Sequence, residues 1–588
     1  QKLLARGISI KIAGRASNFL INVMTNFSSK LIGVLSLVAV LLAGCEAAKF
    51  RDAADAEVYG ILKQRGSDVL GAEQDYDIRT AWSERAPDAI PPAEIITERF
   101  NDNARVLTLE DALGMAVTNN RAYQLQKETL YLSALSLTGT RHKFVWQPTK
   151  STADLGFVRE SDKGLKGDSD LDLTFSKLFK TGGTLTASLA NDLVLYFNGK
   201  PKVPDITLKL TQPLLRGAGR AIAEEVLTQA ERDVVYAVRN FSHYQKTFAI
   251  ETVSEYFRIL QKKDSVRNSY SNYQNLQASR ARAEAMVEAQ RLPKFQVDQA
   301  RQEELSSRVK YLAAVESYRA ALDAFKQRLG LPLGEDLKLD DAALRELVQG
   351  GLTPLNLNAR NGYLIAVTNR LDMLNQIDMY EDSQRKVRVA ADNLQPSLNL
   401  VADASLTKQF YSSFSPEDFA ANAGLQLGLP FDKLTERNAY RTSLISFEKQ
   451  LRALATELDG LREDIRQGVR QLAQQRENYF IQQNALALAE QRVTVMPLLL
   501  DANQADIRDQ LEAQADLVSA QNAVTGAMVN YHVARWNLLK NLGIMRVETE
   551  QFWLKNQPIP GVVAPILSGA GARLPNVVTP GQVFGEQK

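Results

Sequence analysis

From Arg220 to Leu292 the chain contains neither Gly nor Pro. Nothing there breaks an α-helix, and roughly 70 residues at 1.5 Å each make a rod of about 110 Å, several times the width of a globular domain. A rod of that length needs packing partners along all of it. Thr108–Gln147 before it and Lys294–Leu329 after it read as helices. At about 60 and 54 Å they nearly match it when laid end to end. The arrangement recurs: Asn361–Gln395 and Ile507–Leu542, about 53 Å each, flank Leu434 to Leu500, near 100 Å. One long helix lined by two short ones, built twice, predicts a tall wall rather than a globule.

The helices carry seams. Leu444, Leu451, Leu458, Ile465, Leu472 and Tyr479 recur every seven residues, with Phe447, Leu454 and Leu461 between them. Leu227, Val234, Phe241 and Phe248 do the same in the first copy, as do Tyr311, Tyr318 and Phe325 beside Val315, Leu322 and Leu329 on its return helix. A strict seven-residue repeat keeps one seam facing a neighbour and imposes a left-handed supercoil. The other faces are Gln, Arg, Glu and Asp. A coiled-coil rod fits the helices as well as a wall does, so the segments between them must decide.

There the period changes to two. Thr152–Val158 forms one run; Leu171, Leu173 and Phe175 alternate with polar residues, then Leu185, Ala187 and Leu189 beyond the Lys180-Thr181-Gly182-Gly183 turn, then Ile206, Leu208 and Leu210. In the second copy Leu398, Leu400 and Ala402 alternate, and so do Ala423, Leu425, Leu427 and Leu429, around a connecting loop at Tyr411–Phe419. Alternating strands of about ten residues joined by polar loops are the pattern of a transmembrane β-barrel, with a small water-soluble β-domain as the alternative. Four or six strands cannot close a water-filled barrel in one chain; several chains can, and a closed ring leaves no open edge in lipid.

The N-terminus bears on that choice. Leu31–Ala43 is an uncharged apolar run after Lys30, too short to span a bilayer but suited to the core of a signal peptide. It ends in Leu42-Ala43-Gly44-Cys45, which looks like a bacterial lipobox, and Cys45 is the sole cysteine. Cleavage there would leave a lipidated Cys45 as the new N-terminus. An apolar core helix with an incidental cysteine is the alternative. Met24 is the first methionine, so residues 1–23 read as upstream translation, and Glu46 leaves out the aspartate that resembles an inner-membrane retention signal. An acyl anchor would put this end of the molecule at a membrane.

Enzyme chemistry is missing from the pattern. His142, His243 and His532 lie far apart, without a second ligand at helical spacing, so no metal is expected. Asp168, Asp170 and Asp172 alternate like a calcium loop, but Leu173 takes the glycine position and Phe179 the place of the last glutamate. A solvated loop explains them. There is no phosphate-binding glycine loop and no Gly-x-Ser-x-Gly turn. With 70 basic against 68 acidic residues dispersed along the chain, no basic stripe offers itself to nucleic acid. No enzyme activity and no cofactor beyond the lipid on Cys45 are expected.

Short motifs add a family likeness. They are Leu-Thr-Leu-Glu-Asp-Ala-Leu at 107–113 with Asn119-Asn120, Gln-Pro-Leu-Leu-Arg-Gly at 212–217, Gly428-Leu429-Pro430-Phe431, and the Leu329-Gly330 and Leu542-Gly543 helix ends. With these the chain resembles TolC-type outer-membrane efflux proteins, in their lipoprotein branch, over about 108–543. The resemblance implies a mainly α fold with a membrane β portion, in which duplicated strand and long-helix-hairpin repeats build a trimeric α-barrel tunnel under a shared twelve-stranded β-barrel. It implies a homotrimer in the bacterial outer membrane that extends into the periplasm. Its partners would be a periplasmic adaptor (membrane fusion) protein and a proton-driven or ATP-driven inner-membrane pump. The expected units are 1–44 (upstream extension and signal peptide), 45–107 (lipid-anchored lead-in), 108–350 and 351–545 (the two repeats) and 546–588 (a Pro/Gly-rich tail).

The expected function is a passive exit duct of a tripartite efflux or secretion system; a lipid-anchored coiled-coil tether is the alternative. Two features depart from the family. An extra strand pair at Asp170–Leu195 implies either six strands per chain, eighteen in all, or a hairpin outside the barrel. The hairpin tips, Ala289–Phe295 and Leu500–Asp509, lack the usual glycine, so Pro293 and Pro497 are expected to shape the turns. Asp501, Asp506 and Asp509 on one tip and Arg291 and Lys294 on the other are the candidate gate residues, because threefold symmetry would make each inward-facing one a ring.

Overall fold

A computed structural model of the chain describes residues 47–71, 74, 76–100, 104–160, 164–195, 205–355, 357–407, 419–502 and 504–545. The signal segment, Cys45 and the tail from 546 onward lie outside the described residues.

Each repeat begins with two consecutive helices where the sequence suggested one. In the first, α3 (Leu109–Asn119) gives way to α4 (Arg121–His142) after a break at Asn120. In the second, α9 (Ala359–Asn369) gives way to α10 (Leu371–Asp392) at Arg370. Both break residues are extended, with ψ of 122° and 114°. Their cause is end-to-end stacking. The first long helix, α6 (Glu225–Glu288), returns through α7 (Lys294–Arg328), which ends against the Asn119-Asn120 break. Asn120 Nδ2 donates to the Arg328 carbonyl at 2.7 Å, and the Asn120 side chain also caps α4 through the Tyr123 N–H. Gly330, at φ +71°, sits so close to Asn119 that a Cβ would lie 2.6 Å from its carbonyl oxygen. The second copy repeats this. Its long helix α11 (Leu434–Asp501) returns through α12 (Ile507–Asn541), and Gly543 (φ +75°) would meet the Asn369 backbone at 2.5 Å. The duplicated Leu-Gly ends are therefore docking points for the duplicated breaks.

The stretch from Arg220 is also interrupted. A single turn, α5 (Arg220–Ala223), precedes α6, and α6 ends at Glu288. The 45–107 lead-in contains α1 (Ala47–Leu70) and α2 (Pro92–Glu98). α1 buries Val58, Ile61 and Leu62 and packs on α4 and α6. It climbs toward the strand end of the wall: Asp55 accepts from the Tyr131 hydroxyl, whereas Arg65 pairs with Glu231, closer to the start of α6. Midway along the wall, β1 (Ala104–Leu107) and β6 (Asp336–Leu339) form a two-stranded parallel sheet, and α8 (Ala342–Gly350) follows. The Tyr256 hydroxyl of α6 donates to the Leu107 and Asp340 carbonyls and fixes this belt to the long helix.

In the helical layer α6 is central. It has α4 and α7 on one side and α10 and α12 on the other, with α11 beyond α10 and α12. Its seam residues Leu227, Val234, Phe241 and Phe248 are all buried. On α11 the seam is covered only in part: Leu461, Ile465 and Leu472 are buried while Leu451 is exposed.

The strands form one sheet. β2 (Gln147–Glu160), β3 (Gly164–Leu178), β4 (Thr184–Leu195), β5 (Asp205–Pro213), β7 (Ser397–Thr407) and β8 (Phe419–Gly428) lie side by side in that order, each antiparallel to its neighbour. Strand lengths of 9 to 15 residues suit a tilted crossing of a bilayer. The register separates two faces. Leu173, Leu189, Ile206, Leu406 and Phe419 form one continuous apolar row across five strands. The adjacent row, Thr174, Ser188, Thr207 and Ser405, is polar, with a 2.5 Å hydrogen bond between the Ser188 and Thr207 hydroxyls. Alternation of this kind is what a wall between lipid and water requires.

Candidate channel wall and its two ends

Both layers leave matching edges open. At one side stand β2, at the edge of the sheet, and α4, which leads directly into it, with α7 below. At the other stand β8 and α11, which follows it. On the first side Leu125 and Leu132 of α4, and Leu305 and Leu312 of α7, are exposed at seven-residue spacing. On α11 Ile481, Leu488 and Val495 are exposed at the same spacing, Leu488 at 66%. Heptad-spaced apolar side chains in contact with water are half of a helix–helix seam. A sheet edge beside each stripe is half of a strand pair.

Between these edges the two repeats are joined by a buried polar network that the sequence reading did not anticipate. Asp382 of α10 is 2% exposed and sits among α6 side chains. Its oxygens accept from the Tyr236 hydroxyl at 2.7 Å and Gln229 Nε2 at 3.0 Å, and pair with Arg232 at 3.0 Å and Arg385 at 2.9 Å. Asp378, one turn earlier, pairs with Arg232 at 2.9 Å and Arg239 at 2.5 Å, and Arg385 reaches Glu225. Burial, with the Asp382 hydrogen bond and charge added, pushes the Tyr236 hydroxyl above its usual range. Burial alone would lower Arg232, but Glu381, Asp382 and Asp378 hold its guanidinium above its ordinary value. The visible signal was Arg232 and Arg239 seven residues apart, facing Asp378 and Asp382 four apart.

His532 is buried in α12, with ring centroids 5.5 Å from Tyr531 and 5.9 Å from Trp536. Burial, reinforced by the adjacent Arg535 charge, lowers its pKa from 6.5 to about 4. The unfolded chain therefore binds a proton below pH 6.5 that the fold refuses until about pH 4. Stability should fall by up to about 3 kcal/mol between those values and change little from this group above pH 6.5. Unfolding of wild type and His532→Gln across pH 4–7 should show that slope only in wild type.

At the opposite end from the sheet the two hairpin tips pack together through Leu276, Ala283, Ala300, Leu500, Ile507 and Leu511. The sequence-derived gate residues separate here into different roles. Asp501 pairs with Arg282 of α6, which links the tips. Asp506 and Asp509 form a capping box on α12: the Asp506 side chain accepts from the Asp509 N–H, and Asp509 accepts from the Asp506 N–H at 3.1 Å. Among the described residues neither Arg291 nor Lys294 has an ion-pair partner; both are exposed. Pro293 does shape its turn, as the N-cap of α7. Pro497 does not: it lies inside α11, four residues before the helix ends. The first turn also closes on Gln290 at φ +57°, with the Arg291 N–H bonded to the Met286 carbonyl at 2.8 Å. This is the left-handed cap that glycine fills more cheaply. Replacing Asp506 by alanine should cost about 1 kcal/mol through the lost cap, seen as faster hydrogen exchange in the first turn of α12.

Among the described residues no group of three or more His, Cys, Asp and Glu side chains could hold a metal, and no helix is long and apolar enough to cross a membrane.

A strand sheet with one apolar and one polar face, continued by two long-helix hairpins, is the protomer fold of TolC-type outer-membrane channels. The chain superposes on the CmeC outer membrane channel of Campylobacter jejuni with a TM-score of 0.52 and 13% identity, covering 74% of this chain and 85% of that one. For the outer membrane protein VceC of Vibrio cholerae the values are 0.53 and 13%, over 74% and 96%. The open-state MtrE outer membrane channel of Neisseria gonorrhoeae gives 0.52 and 14%, over 74% and 89%. No family model and no curated protein matches the sequence.

Proposed function

We propose that the chain is one protomer of an outer-membrane exit duct, closed by three copies, which passes solutes passively from a tripartite efflux or secretion assembly. The observation that carries this reading is the pair of open edges, β2 with α4 and α7 against β8 with α11. β2 leads away from the helices and β8 leads back to them, so β8 of one copy beside β2 of the next continues the antiparallel alternation. The exposed heptads on α4, α7 and α11 then find partners along the same joint. Three is the number implied by the family likeness, and the channels with this fold are outer-membrane proteins. A periplasmic adaptor would engage the tips, and an inner-membrane pump would supply energy and choose the substrate.

The test is conductance in planar bilayers together with mass in mild detergent. Long-lived unitary currents from a particle of three copies are expected. A tether would give no current, and that result would end the duct reading.

Cys45 is the proposed acyl anchor. Since α1 climbs toward the sheet, its first residue starts well away from the membrane end. Ala47–Ala53 are exposed, and extending these turns would give the reach. Radioactive palmitate should label the wild type and not Cys45→Ser; label retained in the variant would refute the anchor.

A further inference from the structure

The extra hairpin, β3–β4, lies between β2 and β5, not beside the sheet. It is paired on both flanks: Gly164–Ser176 with β2, across one bulge between Pro148 and Lys150, and Thr184–Ala190 with β5. The apolar row that runs from Ile206 through Leu406 to Phe419 extends onto it through Leu189 and Leu173. A second row, Phe175, Ala187, Leu208 and Ala404, does the same. A hairpin folded over the outside of a barrel would have no reason to continue both rows in register.

Its lower turn is built into the junction between sheet and helices. The Gly219 N–H bonds to the Thr181 carbonyl at 3.2 Å, and Gln212 Nε2 reaches the same carbonyl at 3.3 Å. Lys180 pairs with Glu224, at the start of α6, at 2.6 Å. Gly182, at φ +91°, is so enclosed that a Cβ would lie 2.4 Å from the Gly217 carbonyl oxygen. Two strands are added while the up–down alternation is kept, because the hairpin contributes an even number.

We propose that β3 and β4 are wall strands, so that three copies close an eighteen-stranded barrel whose outer mouth is half as wide again as a twelve-stranded one. This rests on the three-copy duct. Barrel diameter grows about linearly with strand number, and at a spacing of about 4.8 Å and a tilt of about 40° eighteen strands enclose a backbone diameter of about 36 Å, against about 24 Å for twelve. Barrels of that strand number hold an aqueous channel. The added width serves the outer mouth alone, since no helix continues from the Lys180–Gly183 turn toward the tips. The duct is a funnel that opens outward, and its narrow point is the helical end.

Two measurements test this. Ser188 and Thr207 replaced by cysteines should form a disulfide in the assembled channel, detected by peptide mapping, because β4 lies against β5. Absence of that bond overturns the proposal. Deleting 164–195 leaves β2 and β5 joined by residues 161–163 and 196–204, with their directions preserved. Neutral polymers added from the barrel side should then be excluded at a size about two-thirds of the wild-type limit. An unchanged limit in an assembled variant also overturns the proposal, and if the variant does not assemble the disulfide decides. A wild-type mass other than three copies would instead refute the three-copy duct, a separate outcome.

Discussion

Replacing Asp382 by alanine should destabilise the protomer by about 3–5 kcal/mol, the usual cost of removing one partner from a buried ion pair. The loss is large because two hydrogen-bond donors and two guanidinium charges converge on one carboxylate. Tyr236, Gln229, Arg232 and Arg385 would all lose a partner at the joint between repeats. Truncating Arg232 as well should cost less than the sum, because the guanidinium would no longer be buried with one counter-charge fewer. Denaturant unfolding of the two single variants and the double variant measures the coupling. An Asp382→Ala variant within about 0.5 kcal/mol of wild type would show that the network contributes no net stability.

Placing a carboxylate at Leu488 should leave the isolated protomer almost unchanged, because this side chain is already 66% exposed. Assembly into the proposed three-copy ring should suffer instead. Each joint would lose the burial of a leucine, about 2–3 kcal/mol, and would bury an unpaired charge; a ring of three has three such joints. Leu488→Glu is therefore expected to weaken association by at least about 100-fold and to abolish channels at concentrations where wild type conducts. Light scattering and bilayer recording on one preparation would check both halves. A stable three-copy particle from the variant would place the joint elsewhere.

The long elements were legible because helix length, seam and strand alternation are local patterns. Leu227, Val234, Phe241 and Phe248 give their period without reference to anything distant, and all are buried. The breaks at Asn120 and Arg370 were not read as breaks. Neither residue forbids a helix, and the cause of each, a Leu-Gly end docking from about 170 to 210 residues away, is visible only in three dimensions. The β1–β6 belt was missed for a related reason: four-residue strands carry no usable period, and their pairing spans more than 200 residues. At the tips the sequence showed where charges lie but not their roles. Asp506 and Asp509 lie three positions apart, the N-cap to N3 spacing of a capping box, which was the available signal that they hold α12 rather than the mouth.

The uneven covering of the two long helices has a consequence for the newly made chain. α6 is enclosed on both sides within the protomer, whereas α11 offers one flank to water. In the proposed three-copy ring a neighbouring copy would cover that flank, so a lone protomer is expected to open more readily there and to be the more protease-sensitive form. Since anything that binds only the folded form raises apparent stability by mass action, resistance to proteolysis should rise with protein concentration and saturate once rings close. Incomplete rings keep an uncovered α11, so degradation would remove them selectively. In the proposed ring, the helix that would join the copies would thus also mark the copies not yet joined.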